Sequence, residues 1–348
     1  MSGDGWFFEF NENPSTDPST PGPSGAEPGA ETDGRVRYGV VEDLAAMPVP
    51  GSVYTRAVTA AARTAISGST DAAALPDRAL RVSQHTLDQA QLDAYAHLIG
   101  ETAGEVAPAG FVHVSVFGLQ LALMASNDFP LPMLGMVHVA NRIEQLRPVR
   151  VGEELSVLTW ARSLTGRMPH PESSRDSGGT QVELVTQVSS GSETVWEGVS
   201  TYLAKKVDVP GVPVLPFKDR AEAILPVPTG GWSTSKLTSR EYAAVSGDRN
   251  PIHTSALAAK AFGFPRQIAH GMDTAARAFA ALGPKRHDAF TWSVEFASPV
   301  LVPGRVALAV ERRDDVDPSE QASRGGYALT VWDPKSSRVH LTSTLAQA

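Results

Sequence analysis

The sequence predicts an α+β chain made of two copies of one unit, each a long central helix wrapped by an antiparallel β-sheet. Three observations predict it. Landmark residues recur at a spacing of about 150 positions, the signature of a duplicated unit. Within each copy an apolar helical stretch is followed by four segments that alternate apolar and polar residues with a period of two, as half-buried strands do. Between the copies lies Val207–Trp232, where Pro210, Pro213, Pro216, Pro226 and Pro228 read as a linker of extended, semi-rigid chain.

In chain order, residues 1–36 are rich in Pro, Gly, Ser, Thr and acids, lack apolar periodicity past Phe10, and read as a disordered acidic tail. The cluster Trp6-Phe7-Phe8-Glu9-Phe10 in that tail is either a short docking motif or a chance aromatic run. The first unit spans 37–206. Thr86–Ile99 carries Leu87, Ala90, Leu92, Tyr95 and Leu98 at mostly three-residue spacing and ends at Gly100, which predicts a helix. Ser115–Ala125 is apolar enough for a buried helix, and strands are expected at Val137–Ile143, Leu155–Ala161, Val182–Val188 and Val195–Leu203. Residues 165–179 are a polar loop.

After the linker (207–233) the second unit, 234–348, repeats the order. Tyr242–Gly247 answers Tyr95–Gly100, and the apolar stretch from Gly271 to Leu282 answers Gly118 onward. Strands are expected at Phe290–Phe296, Val306–Val310, Tyr327–Val331 and Val339–Leu345. Pro148-Val-Arg-Val-Gly152 matches Pro299-Val-Leu-Val-Pro-Gly304, each just before a strand.

Composition excludes several classes. At 348 residues the chain holds two domains able to bury their own cores, and 42% hydrophobic residues with a mean hydropathy of -0.14 suit a soluble globular protein. No apolar run reaches the roughly 18–20 residues that span a bilayer, and the N-terminus lacks the pattern of a signal peptide, so a cytoplasmic, non-membrane protein is expected. Absence of Cys excludes disulfides, thiolate nucleophiles and Cys-ligated zinc. The net charge is -8, but residues 1–34 hold seven acids and no Lys or Arg, so setting those seven aside leaves -1. The window Lys236–Phe290 holds eight Lys or Arg against four acids, either a welcome for a phosphate-bearing ligand or an ordinary solvated surface. No basic stripe with interleaved aromatics points to nucleic acid.

The copies differ between Gly247 and Phe264. There the second copy reads Gly-Asp248-Arg249-Asn250-Pro-Ile-His253, whereas the interval Gly100–Phe111 of the first has neither Asn-Pro nor His. Thr238-Ser-Arg-Glu241 reads as a capping box for a short helix ended by Gly247, leaving Asp248 on a turn that Asn250-Pro251 fixes. Thr254 or Ser255 then caps a further helix that stops near Gly263. A carboxylate and an imidazole held rigidly five residues apart suit general acid/base chemistry, the alternative being a turn-capping Asp and a satisfied loop His. Gly271 opens a long apolar helix whose N-terminal N–H groups face any developing oxyanion, and glycine lets a carbonyl approach closely.

Tyr242-x-x-x-Ser-Gly-Asp-Arg-Asn-Pro-Ile-His253 followed by Phe264-Pro-x-x-Ile-Ala-His270-Gly271-Met272 resembles the signature of the MaoC-like, or type 2 (R-specific), enoyl-CoA hydratases. Over 37–348 the chain is similar to the double-hot-dog members, above all the actinobacterial (3R)-hydroxyacyl-thioester dehydratases. Asn127-Asp-Phe-Pro, Gly135-Met-Val-His138 and Arg147-Pro148 fit that group too. The resemblance implies reversible syn hydration of a trans-2-enoyl thioester, carried by CoA or an acyl carrier protein, in fatty-acid metabolism. It implies Asp248 and His253 as the acid/base pair, Asn250 as their support, and the Gly271 N–H as the oxyanion donor. Arg249, His270, Met272, Asp273 and Arg277 become candidates for substrate contact. No metal and no cofactor are implied; a metal held by Asp248, His253, His270 and Asp273 is a distant alternative. The first copy's core is expected to accommodate the acyl chain. Asp273 stands where relatives carry an apolar residue, with Arg277 one turn on: either the two pair with each other or they line the tunnel. A thioesterase and a non-catalytic acyl-thioester-binding subunit are the rival functions. Two fused copies form a pseudo-dimer, expected as a monomer or as a homodimer.

Overall fold

The computed structural model describes residues 38–57, 74–169, 178–215, 224–313 and 325–347. The N-terminal tail with its aromatic cluster lies outside them, as do residues 170–177 of the expected 165–179 loop, whose ends, 165–167 and 179, are strand instead. In chain order the elements are β1 (Val40–Asp43), the helical residues 50–57 (α1), β2 (Arg78–His85), α2 (Gln89–Ile99), α3 (Ala109–Met124), β3 (Val137–Gln145), β4 (Leu155–Arg167), β5 (Gly179–Ser190) and β6 (Glu193–Lys205). These are followed by β7 (Val214–Leu215), β8 (Gly230–Thr234), α4 (Lys236–Ser246), α5 (Pro251–Thr254), α6 (Ala256–Ala261), α7 (Gly271–Ala280), a short 3₁₀ turn, β9 (Phe290–Phe296), β10 (Gly304–Arg313), β11 (Gly326–Trp332) and β12 (Val339–Gln347).

The strands form one sheet in the order β1-β2-β4-β5-β6-β3-β9-β12-β11-β10-β8. Reading outward from the β3–β9 junction, β6, β5, β4 and β2 on one side answer β12, β11, β10 and β8 on the other, so the fold is a double hot-dog. The junction is antiparallel, with Ile143 opposite Trp292 and Gln145 opposite Phe290. Across the same pseudo-two-fold, the equivalent residues Tyr95 and Tyr242 meet with ring centroids 6.3 Å apart. All eight strands read from alternation are present.

Strands β8, β7 and β2 were hidden from pattern. Gly230-Gly-Trp-Ser-Thr234 reads as loop, yet β8 pairs with β10 because Gly231 lets the neighbouring backbone close in; a Cβ there would lie 2.4 Å from the Val306 carbonyl. The stretch 207–233, expected as a linker, therefore ends in sheet, and Val214–Leu215 also pairs with β4. In β2 the arginines mask the alternation; Arg78 bonds Asp128 and Arg81 bonds Asp43.

The central helices differ in kind. Fourteen residues of α3 are buried, so it runs through the core of the first copy, starting earlier than its apolar run suggested. Ten-residue α7 is shorter than expected and buries one broad face. The counterpart of Gly271 is Ala109 rather than Gly118. Each lies three residues after an isolated bridge, Val106 to Arg150 and Ile268 to Leu301, which also joins the two Pro-Val motifs to equivalent places. Gly100 and Gly247 end α2 and α4 in the left-handed conformation, at φ 83° and 72°. The second copy thus places α5 and α6 in an interval that the first crosses in a few residues. No described helix is long and apolar enough to cross a membrane.

Candidate active site

Local sequence builds the acid/base loop. Ser235, not Thr238, caps α4, accepting from the Thr238 N–H; the helix begins three residues, almost a full turn, earlier than the capping box implied. At its far end Ser246 Oγ donates to the Tyr242 carbonyl and accepts from the Asp248 N–H, tying the turn to the helix. Asn250 caps α5, its side-chain oxygen accepting from the Ile252 N–H at 3.4 Å, with Pro251 in the first helical position. That single turn delivers His253 inward, and Ser255 closes it and opens α6.

Asp248 Oδ1 accepts from the Asn250 N–H at 3.1 Å and from the Tyr54 hydroxyl of α1 at 2.7 Å. His253 Nδ1 donates to the Ile268 carbonyl at 2.9 Å, which leaves Nε2 with its lone pair. His270 Nε2 donates to the Asp248 carbonyl at 3.0 Å, and its ring stacks on His253 with centroids 3.9 Å apart. Burial pushes the Asp248 carboxyl up, but the imidazoles of His270 and His253 and the bonds from Tyr54 and Asn250 outweigh it and hold it below its usual 3.8. Burial pulls His253 below 6.5 against the opposing charge of Asp248, and pulls His270 down to about 3 with help from His253. At neutral pH the site therefore holds a carboxylate and two neutral imidazoles.

These groups open on a cleft of about 1250 Å³, part of it continuous with solvent. Asp248, Asn250, His253, His270, Gly271 and Met272 line one wall. The other wall comes from the first copy: Val114, Phe117, Leu121 and Met124 of α3 with Met133 and Met136, an apolar surface suited to an alkyl chain. His113, His138 and Tyr202 add a stacked polar group there, His138 lying 4.6 Å from Tyr202 between ring centroids. Burial takes His113 down to about 4 and His138 to about 3, so both are neutral.

Gly271 begins α7 and lines the cleft, and its missing side chain makes room first for Phe296, whose ring would lie 2.9 Å from a Cβ. Three of the expected substrate-contacting residues are elsewhere. Arg249 is exposed beside Gly51. Asp273 and Arg277 do not line the cleft; Arg277 Nε donates to Asp273 Oδ1 at 2.8 Å, the i,i+4 pair taking the place of any ligand contact. The Asp273 charge is felt instead by the buried hydroxyls of Tyr95 and Tyr242. Arg286, bound to Glu101 outside the window, is thus removed from the basic surplus of 236–290, while Arg277 and Asp273 cancel within it. One donor atom each from Asp248, His253 and His270 lies within 4.8 Å of the others, a spacing that also suits a cation. His270 donates its Nε2 proton to the Asp248 carbonyl, which leaves Nδ1 as its lone-pair nitrogen.

The MaoC-like domain matches residues 225–331, which hold this whole loop. The chain is 35% identical over 272 residues to 3-hydroxyacyl-thioester dehydratase X of Mycobacterium tuberculosis, covering 78% of this chain and 90% of that protein. The chain belongs to the MaoC-like dehydratase family. The crystal structure of HtdX from M. tuberculosis superposes with a TM-score of 0.64 at 33% identity, over 77% of this chain and 99% of that one. A MaoC-like dehydratase from Phytophthora capsici shares the fold at 20% identity, with a TM-score of 0.56 over 78% and 95% of the respective chains.

Tyr54, His113 and Tyr202 were not legible as site residues. Each stands outside the motif and is brought in by an element of the other copy or of the N-terminal segment.

Proposed function

We propose that this MaoC-like chain is a hydro-lyase that interconverts trans-2-enoyl and (3R)-hydroxyacyl thioesters. The observation that carries the proposal is the pairing of an ionised Asp248 with a His253 whose Nδ1 is committed to the Ile268 carbonyl. Two acceptors on one wall hold one water by both of its protons and aim its oxygen lone pair at C3. As the O–C3 bond forms, one water proton passes to this pair while the other stays on the new hydroxyl, and the pair hands the proton it took to C2 from the same side, returning to its starting state. Delivery from one face makes the addition syn; the 3R configuration is the one the family resemblance implies. In the reverse direction the pair removes the C2 proton and protonates the leaving hydroxyl.

The Gly271 N–H at the start of α7 polarises the thioester carbonyl and takes up the charge of the enolate-like transition state. Asn250 keeps the Asp248–His253 turn in shape. The apolar wall from α3 receives the acyl chain, which supports a role for the degenerate first copy in chain accommodation. A thioester carried by CoA or by an acyl carrier protein is the substrate class, entering a cleft that is partly continuous with solvent. Both walls come from one chain, which supports a site already assembled in a monomer.

The test is a hydration assay with trans-2-enoyl-CoAs of increasing length, following loss of the enoyl absorbance and free thiol release in parallel. Loss of absorbance without thiol release, with a (3R)-hydroxyacyl product, is expected; thiol release at the same rate makes the chain a thioesterase and overturns the proposal.

A further inference from the structure

We propose that Tyr54 is a positioning residue for Asp248, and that the N-terminal segment 44–57, which has no counterpart in the second copy, completes the site. The inference rests on the reading of Asp248 as the acid/base carboxylate. Tyr54 lies on α1, is 8% exposed and lines the cleft. Its hydroxyl donates to Asp248 Oδ1 at 2.7 Å, joining positions 194 residues apart in sequence. The same oxygen accepts the Asn250 N–H at 3.1 Å. Two donors thus engage Oδ1, while His270 Nε2 stands 3.9 Å from Oδ2, beyond hydrogen-bond reach. The carboxylate is held in one rotation, with Oδ2 as the oxygen left to take a proton from the reacting water. Burial, then the neighbouring Asp248 charge, push the Tyr54 hydroxyl well upward, so it remains a donor at every working pH.

The segment that carries Tyr54 is seated on one glycine of each copy. A Cβ at Gly118 would come within 1.9 Å of the Pro48 carbonyl oxygen, so α3 must be bare there for the chain to cross it. At Gly247, already in the left-handed conformation, a Cβ would come within 2.8 Å of Pro50 Cγ. Residues 48 and 50 are therefore gripped by both central units, and α1 springs from that grip with Tyr54 turned toward Asp248. Ser52 Oγ and Thr55 Oγ1 bond back to the Val49 and Gly51 carbonyls and stiffen the turn.

The test compares Tyr54→Phe, Asp248→Asn and the double variant in the full chain, with thermal melting to verify folding. Loss of a hydrogen bond to a charged group corresponds to a fall in kcat of about 10- to 100-fold with KM little changed. The double variant should be no slower than Asp248→Asn alone, because Tyr54 acts through that carboxylate. A carbon-13 titration of the aspartate carboxyls, with the Asp248 signal assigned by its loss in Asp248→Asn, should show its pKa higher in Tyr54→Phe. Tyr54→Leu removes the same donor and should displace the same signal. An unmoved Asp248 titration, or additive losses in the double variant, overturns the inference while an inactive Asp248→Asn leaves the proposed function standing. Full turnover by Asp248→Asn overturns both.

Discussion

Replacing Arg277 with Met leaves Asp273 buried with its cation gone and most of the stem volume kept. Asp273 is 2% exposed and Arg277 17%, and the 2.8 Å bond between them is the only side-chain partner the carboxylate shows among the described residues. Burial, opposed by Arg277, already raises Asp273 to about 6. Because the folded value lies above the usual 3.8, the folded chain binds this proton more tightly than the unfolded one. The group's contribution to stability is therefore full below pH 4 and is lost as pH rises through about 6. Without Arg277 the loss deepens. At pH 8 an unpaired buried carboxylate costs about 3–5 kcal/mol, whereas at pH 5 it takes a proton and the cost falls toward the ~1 kcal/mol of one hydrogen bond. Urea unfolding of wild type and Arg277→Met at pH 5 and pH 8 measures the difference. The turnover of the folded variant and its preference among acyl lengths should match wild type, since the pair lies off the cleft. An equal destabilisation at both pH values refutes the electrostatic reasoning, and a changed length preference refutes the placement of the pair.

Other outcomes follow from the same geometry. Gly271→Ala pushes a Cβ to 2.9 Å from the Phe296 ring, so it should cost about 1–3 kcal/mol of stability and most of the turnover. Adding Phe296→Leu should restore the melting temperature but not the rate if a close approach to the Gly271 N–H is what the reaction needs. Asn250→Ala removes a cap worth about 1 kcal/mol and should lower kcat more than it lowers stability, as read by parallel melting and rate measurements. His253 is depressed below 6.5 and must stay neutral, so kcat/KM should hold down to pH 6.5 and fall only below it; an acid limb above 6.5 contradicts that assignment. Dialysis against a strong chelator should leave turnover unchanged despite the ligand-like spacing of Asp248, His253 and His270.

Much of this was legible because alternation and punctuation are local signals. The eight ladder strands came from their period of two, and Gly100, Gly247 and Asn250-Pro251 marked helix ends and the acid/base turn through backbone preferences that any neighbouring fold must respect. The rest depends on distant partners. Gly231 makes a strand edge only because Val306 lies against it, and Gly118 is bare only because Pro48 crosses it. Tyr54 has no periodic context at all and meets Asp248 across both repeats. Asp273 illustrates the converse: its departure from an apolar expectation was visible in the sequence, but whether it met ligand or Arg277 was a matter of which face of α7 it occupies.

The central claim is that Asp248, held ionised beside a neutral His253, hydrates an enoyl thioester. Asp248→Asn keeps the shape of the side chain and removes only the charge that accepts the water proton. Hydration of a trans-2-enoyl-CoA by this variant, followed by enoyl absorbance, should fall by at least about a thousandfold while calorimetric binding of a saturated acyl-CoA persists. Turnover within about tenfold of wild type, with binding intact, contradicts the claim.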